Sequence, residues 1–235
     1  IPDESLLHHA KKDHFSLWLM ARGEIQAAKI LNPHKVSDFD SPQKVREYML
    51  EIISRFRNEQ DKGKIIPFEK TAIADESNIV ALSEGSLGGK GRGIAFIHTL
   101  IYNYDFQHYI PNIHLKAPKT MVIGTEEFEY FMGKNGLQEM VINEKDYTII
   151  KKAFLETRLT DTMIKRLKMV LQDIRKPIAI RSSGLFEDSL IQPFAGIFET
   201  YILPNNHPDP KVRLQQVMEA IKLVYASVYS DTARG

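Results

Sequence analysis

Two stretches of this sequence combine residue types and spacings suited to holding an anion. The first is SLGGKGRGIAF, residues 86–96, with four glycines and two cations before an apolar run. Glycines contribute nothing to packing and carry an entropic cost, so such a run points to something approaching the backbone closely. A β-like stretch, then bare backbone, then a helix start offers free N–H groups and the positive end of a helix dipole, and Lys90 adds a mobile charge. At an effective dielectric of about 20, a charge pair about 4 Å apart is worth roughly 4 kcal/mol before desolvation. The pattern is not a Walker loop, because Glu84 stands where the first glycine is required and Gly91 follows Lys90. Nor does any spacing of these glycines give G-x-G-x-x-G ahead of a helix. Two readings stay open on pattern alone: a phosphate cradle, and a flexible turn with surface cations.

The second stretch is IAIRSSGLFEDSLIQPFAGIFETYIL, residues 178–203. It reads as a strand ending at Arg181, a polar loop with Ser182, Ser183, Glu187 and Asp188, and a returning strand. Arginine suits phosphate because its planar fork makes two parallel hydrogen bonds. The serines add hydroxyl and amide donors, and Gly196 lets its backbone approach a ligand. The competing reading is a salt bridge from Arg181 to Glu187 or Asp188 that only staples the loop.

The elements that must position these residues follow from periodicity and capping. Residues 14–31 have helical character through Phe15, Trp18, Ile25, Ala28 and Leu31, with Trp18 expected in a core. A second helix begins at Ser41 as cap and Pro42 at the first position, with Val45, Met49, Ile52 and Phe56 as its stripe. NIVALS (78–83) and KTMVIG (119–124) read as strands, and IAFIHTLIYNY as a helix. Thr125 is expected to cap the helix over TEEFEYFM, whose Glu126 and Glu127 suit its positive end. Residues 159–174 predict a helix with Ile164, Leu167, Leu171 and Ile174 on one face, and ETRLTDTMIKRLK is read as a solvated charged surface. KPIAIRSS and GIFETYIL read as strands, and a last helix starts near Pro210. The expectation is an α+β (α/β-like) fold over residues 64–235 preceded by a helical arm, residues 1–63, of undefined role.

The 235 residues carry 31 basic and 30 acidic side chains, a net charge of +1, which gives no electrostatic case for a nucleic-acid or membrane-surface partner. There is no cysteine, which excludes disulfides and thiolate metal sites and fits a cytoplasmic location. No apolar run approaches the roughly 18 residues of a membrane span. His8-His9 reads as helix surface, and His98, His108 and His114 are spaced too irregularly for a helical ligand pair. Both ends of the sequence are expected to be cuts in a longer protein.

Together the stretches resemble one family. LGGKGRGIAFI is similar to the Gly-Gly-Lys-Gly-x-x-Leu signature of the pyruvate phosphate dikinase and phosphoenolpyruvate synthase family, with Ile94 in place of the leucine. IRSSGLFEDSLIQPFAGIFETYI resembles its Val-Arg-Ser-Ser…Glu-Asp…Phe-Ala-Gly-x-x-Glu-Thr segment. LKAPKTMVIGTEEFEYFM resembles its Val-Pro-x-Gly-Phe-x-Ile-Thr segment, with Thr120 and Met121 replacing the glycine and phenylalanine. The resemblance covers about residues 79–235 and implies the first portion of an ATP-grasp nucleotide-binding domain, truncated at its C-terminus. It implies that Gly88, Gly89, Lys90, Arg181, Ser182, Ser183, Gly196 and Thr200 bind ATP, with Lys90 on the phosphates and Arg181 on the transferring phosphoryl group as the catalytic pair. Ser182, Ser183, Glu187 and Asp188 would act mainly by ordering the loop. By the resemblance, the Mg²⁺ ligands and the adenine pocket are expected on the second half of the ATP-grasp region, outside this chain; the relay histidine and the acceptor site are expected on other domains of the same polypeptide, since none of the eight histidines lies in a Gly-Gly-x-x-Ser/Thr-His context. The implied function is ATP-dependent phosphorylation of a mobile histidine and then of pyruvate, with no turnover by this chain alone. The alternatives are a relative with another acceptor, such as an antibiotic or a glucan, and a non-catalytic nucleotide-binding or assembly module.

Overall fold

The computed structural model of the chain describes residues 1–184 and 196–234. It separates into two compact units, Ile1–Lys62 and Gly63–Gly235.

The first unit is helical. Helices α1 (Asp3–Lys11), α2 (His14–Ala21) and α3 (Ile25–Leu31) are followed by a 3-10 turn, Val36–Asp38, and the long α4 (Pro42–Asp61). The apolar run over 14–31 is therefore broken, not one helix: Gly23 adopts φ +82 and reverses the chain between α2 and α3. Leu6, Ala27, Ala28, Val45 and Ile52 form the buried interior. Ser41 caps α4 by accepting the Lys44 N–H at 3.3 Å, with Pro42 at the first helical position, as its sequence predicts. Trp18 differs from expectation. It is 59% exposed, and the Arg22 guanidinium lies 5.2 Å from its ring centre.

The second unit opens with a strand that periodicity missed, β1 (Ile65–Pro67), because its three residues are too few to show alternation. Helix α5 (Lys70–Ala74), strand β2 (Ile79–Ala81), helices α6 (Gly88–Asn103) and α7 (Phe106–Tyr109) and strand β3 (Met121–Val122) complete a parallel sheet of order β1-β2-β3. Ile65 pairs with Ile79 and Val80 with Met121. Helices α8 (Thr125–Lys134), α9 (Leu137–Asn143), α10 (Tyr147–Glu156) and α11 (Asp161–Asp173) follow. Strands β4 (Ile178–Arg181) and β5 (Thr200–Leu203) form a separate antiparallel pair, and α12 (Pro210–Ser227) and α13 (Asp231–Arg234) close the chain. Parallel and antiparallel strands sit in different sheets, which makes the unit α+β.

Its core joins Val80, Phe131, Ile150, Phe154, Met163 and Leu167, with α12 adding Val217 and Ile221. On α11 the buried face is Met163, Leu167, Val170 and Leu171, one position round from the predicted stripe; Ile164 and Ile174 pack only partly.

Cations, two of them buried (Arg213 and Lys222), cap the carbonyl ends of several helices, where unpaired C=O groups and the negative dipole end accumulate. Arg213 donates to Leu171 O at 3.0 Å and Ile174 O at 3.3 Å at the end of α11. Nine positions further along α12, Lys222 donates to Leu155 O and, at 3.1 Å, to Thr157 O at the end of α10. Arg234 reaches Glu144 O and Val141 O behind α9, and Lys119 reaches Ala72 O and Asp75 O behind α5.

The opposite arrangement occurs at the start of α11. Buried Glu127 accepts the Thr160 N–H at 3.1 Å and the Thr160 hydroxyl at 2.7 Å, while that hydroxyl accepts the Met163 N–H as the helix cap. Burial raises the Glu127 pKa, and the hydrogen bonds from Thr160 only partly oppose it. A carboxyl whose pKa is raised on folding binds more protons folded than unfolded, so its contribution to stability falls as pH rises from the unfolded pKa through the folded one. Glu127→Gln removes that dependence. Thermal melts of variant and parent from pH 4 to pH 8 should show the variant's Tm rising relative to the parent's as pH increases; a difference independent of pH contradicts the assignment.

Candidate functional site: the glycine-rich helix start and the Arg181 strand

The segment after β2 runs directly into α6, and the glycines lie inside the first turns of that helix, not ahead of it. Gly88 is the first helical residue and Lys90 the third. Gly88 adopts φ +67, which glycine alone adopts without strain. Its position is fixed by contact: a Cβ there would lie 1.4 Å from the carbonyl oxygen of Ser183. The Ser183 hydroxyl donates to Leu87 O and accepts the Gly91 N–H at 2.7 Å. Two segments more than ninety residues apart are thus joined by one side chain.

The preceding loop is clamped from another direction. Thr125 does not cap α8; Gly124 occupies that position. The Thr125 hydroxyl instead accepts the Ser86 N–H at 3.1 Å, Ser86 O accepts the Thr125 N–H at 3.1 Å, and Glu84 O accepts the Glu126 N–H at 3.3 Å. A Cβ on Gly124 would stand 2.0 Å from Glu84 O. Behind the loop, Arg166 donates to Leu82 O at 2.6 Å and lies 5.3 Å from the centre of the Phe68 ring. Arg166 was expected on a solvated face. It is half-buried instead and holds the chain where β2 leads into the glycine segment. Only the long-range contact reveals this, since Lys165 and Lys168 close by make the stretch read as a charged surface.

The three sequence segments that carry the resemblance therefore converge on the start of α6. Gly88 and Gly91 are buried there, and Gly89 and Lys90 are half-buried. Arg181 ends β4 two residues before Ser183. It is exposed and pairs in register with Thr200, the exposed first residue of β5. Alternation along the ladder puts Ala179 and Ile202 on the same solvent face, Ile202 being 75% exposed, while Ile178, Ile180, Tyr201 and Leu203 turn inward. That face has a cationic and hydroxyl end and an apolar end. Ser182 is half-buried beside it. Gly196 adopts φ +83, with none of the described residues within 4 Å of a Cβ placed there, and Phe198 lies 3.4 Å from the Cβ position of Gly184, so the two ends of the connecting segment meet. Glu187 and Asp188 lie outside the described residues; among those described, Arg181 makes no salt bridge.

Glu199 is a residue that sequence reasoning passed over. It accepts hydrogen bonds from the Tyr147 hydroxyl at 3.0 Å, Lys151 Nζ at 3.1 Å and the Tyr201 hydroxyl. Its place directly before Thr200 was the available signal.

In the first unit, His8, His9 and His14 cluster with ring centres 5.2–6.2 Å apart. Among the described residues no group of three or more His, Asp or Glu side chains is arranged to hold a metal ion. No helix there is long and apolar enough to cross a membrane.

The family model for the pyruvate phosphate dikinase AMP/ATP-binding domain matches residues 84–234. The chain belongs to this family. No curated protein and no solved structure matches it. The pyruvate phosphate dikinase match begins at Glu84, where the clamped loop starts, and runs through α6, the β4–β5 pair and α12. A dikinase nucleotide-binding domain is ATP-grasp-like, and the α+β architecture of the second unit is consistent with it.

Proposed function

We propose that the second unit is the ATP-binding part of a dikinase-type phosphotransferase of the phosphoenolpyruvate synthase kind. ATP phosphorylates a histidine on another domain of the same polypeptide, and that phosphohistidine passes the group to pyruvate. Lys90 neutralises the phosphates, and Arg181 holds the transferring phosphoryl group in its planar fork. Gly88 and Gly89 keep the backbone low at the helix start, Thr200 adds a hydroxyl beside Arg181, and Gly196 keeps the approach open. Ser182 and Ser183 order the junction. Phosphoryl transfer needs chiefly positioning and charge stabilisation, which a lysine, an arginine and helix-start amides supply. The helical first unit is an arm to which no part of this reading is assigned. Mg²⁺ would be held by acidic residues elsewhere in the same polypeptide, and no step is routed through it on this chain.

The observation that supports this reading above all is the Ser183 bridge. It ties the strand end bearing Arg181 to the helix turn bearing Lys90. A dikinase with another acceptor would use the same nucleotide half, so acceptor identity is tested separately by phosphoryl transfer in the full-length protein.

Titration of MgATP against the chain and its Lys90→Ala variant tests the assignment. The variant should bind at least roughly tenfold more weakly, about 1.4 kcal/mol. Arg181→Lys should lose affinity too, because an ammonium cannot replace a bidentate fork. Equal affinity in parent and Lys90→Ala removes Lys90 from the site.

A further inference from the structure

The strand pair bearing Arg181 and Thr200 is short. Four residues face four, and a two-stranded ladder of this length has little stability of its own. Something outside the ladder must fix where Thr200 sits. The side chains behind it supply a candidate. Tyr147 and Lys151 lie one turn apart on α10, which is anchored by buried Ile150 and Phe154 and capped by Asp146. Both donate to Glu199, as does Tyr201 from the inward face of β5. The Lys151 ammonium also lies 4.9 Å from the centre of the Tyr147 ring.

We propose that Glu199 is a positioning residue for the nucleotide site: held from behind by Tyr147, Lys151 and Tyr201, it turns Thr200 outward beside Arg181. The inference rests on the ATP-binding reading above and adds a residue to it. Strand alternation makes the coupling direct, since pinning residues 199 and 201 on one face fixes residue 200 on the other.

Stability is a poor explanation for this cluster. The Lys151 and Glu199 side chains are about a third exposed, 34% and 31%, and ion pairs this wet contribute little to folding. Yet three donors meet on one carboxylate next to the residue that pairs with Arg181. Burial acts to raise the Glu199 pKa, but the hydrogen bonds from Tyr201, Lys151 and Tyr147 and the Lys151 charge outweigh it and hold the carboxyl below its ordinary range. Glu199 therefore stays ionised, and the anchor intact, at neutral pH and down through its ordinary pKa. Burial and the Glu199 carboxylate raise both tyrosine hydroxyls, so they stay protonated as donors.

The test pairs two measurements on the unsubstituted chain, Glu199→Ala and Glu199→Gln. Backbone hydrogen exchange over residues 199–203 reads whether Glu199 holds the strand. MgATP titration reads whether that hold serves the site. Glu199→Ala should speed exchange at residues 199–203, leave α11 and α12 unchanged, and weaken MgATP binding by roughly tenfold, the order of loss that a displaced contact produces. Glu199→Gln keeps one acceptor oxygen and places an NH₂ donor where the other stood, so it loses one hydroxyl bond as well as the lysine's charge partner and should fall between Glu199→Ala and the unsubstituted chain in both readouts. Unchanged exchange in Glu199→Ala overturns the inference. Faster exchange with unchanged affinity also overturns it, leaving Glu199 a structural clip. If the unsubstituted chain does not bind MgATP, the reading of the site itself fails, and that outcome is separate because it does not depend on any Glu199 variant.

Discussion

Replacing Gly88 with alanine is expected to part the glycine-rich helix start from the Arg181 strand. The added Cβ would meet Ser183 O at 1.4 Å, its carbonyl carbon at 2.6 Å and its hydroxyl at 2.9 Å. Two of those atoms are backbone, so no rotamer change relieves the overlap. The residue also sits at φ +67, where a side chain adds about 1–2 kcal/mol of strain. Moving Ser183 away breaks its bonds to Leu87 O and the Gly91 N–H, each worth about 0.5–1.5 kcal/mol net. The sum, roughly 2–5 kcal/mol, is the expected destabilisation relative to the parent, and the overlap with Ser183 O is what forces the two segments apart. MgATP affinity should then fall by more than the loss from removing Lys90 alone, since both cations lose their common frame.

Two neighbours act as internal controls. At Gly91 the nearest atoms to a Cβ are Leu87 Cβ at 3.1 Å and Ser183 Oγ at 3.3 Å, a crowding that small shifts accommodate. Gly91→Ala should therefore have an intermediate effect. At Gly93 nothing lies within 4 Å, and the residue is in the interior of α6. Gly93→Ala should stabilise by up to about 1 kcal/mol through helix propensity. Melting curves and MgATP titrations of the three variants check the order. A Gly88→Ala protein that melts and binds like Gly93→Ala contradicts the packed junction.

This ordering could not be read from the sequence. GGKGRG gives four glycines of equal standing, and their difference is created by Ser183, a residue distant along the chain. Locally determined features were legible. Ser41 and Pro42 start α4, Pro210 starts α12, and the alternation in β4 and β5 follows the expected strands. Features set by long-range contact were not. Thr125 has the residue type of a cap, but its hydroxyl is engaged by Ser86, thirty-nine positions away. Arg166 and Glu199 look like surface charges until Leu82 O and Tyr147 are seen beside them. The motif residues were found because a family signature encodes such contacts indirectly. Their supporting residues lie outside that signature or, like Glu199, inside it without a visible reason.

The same logic makes Arg213 the second large effect. This arginine is 1% exposed, and among the described residues no carboxylate pairs with it. Its guanidinium donates to Leu171 O at 3.0 Å, Ile174 O at 3.3 Å and Asn205 Oδ1 at 3.1 Å. Asn205 in turn donates to Ile174 O and Lys176 O, so one network closes α11 and the turn into β4. Burying a lone cation is expensive, and replacing buried charges by apolar groups sometimes stabilises a protein. Here the balance tips the other way. Ile174 O keeps its bond from Asn205, but Leu171 O and Asn205 Oδ1 lose the guanidinium, and each buried acceptor left unpaired costs about 1–3 kcal/mol. Arg213→Met fills most of the volume but supplies no donor, so a loss of roughly 3 kcal/mol is expected. In a domain of this size that lowers Tm by about 6–12 °C. Because the acceptors do not titrate, the loss should be the same at pH 5 and pH 9. A methionine variant as stable as the parent would show that these carbonyls find other partners and that the guanidinium is dispensable to the helix end.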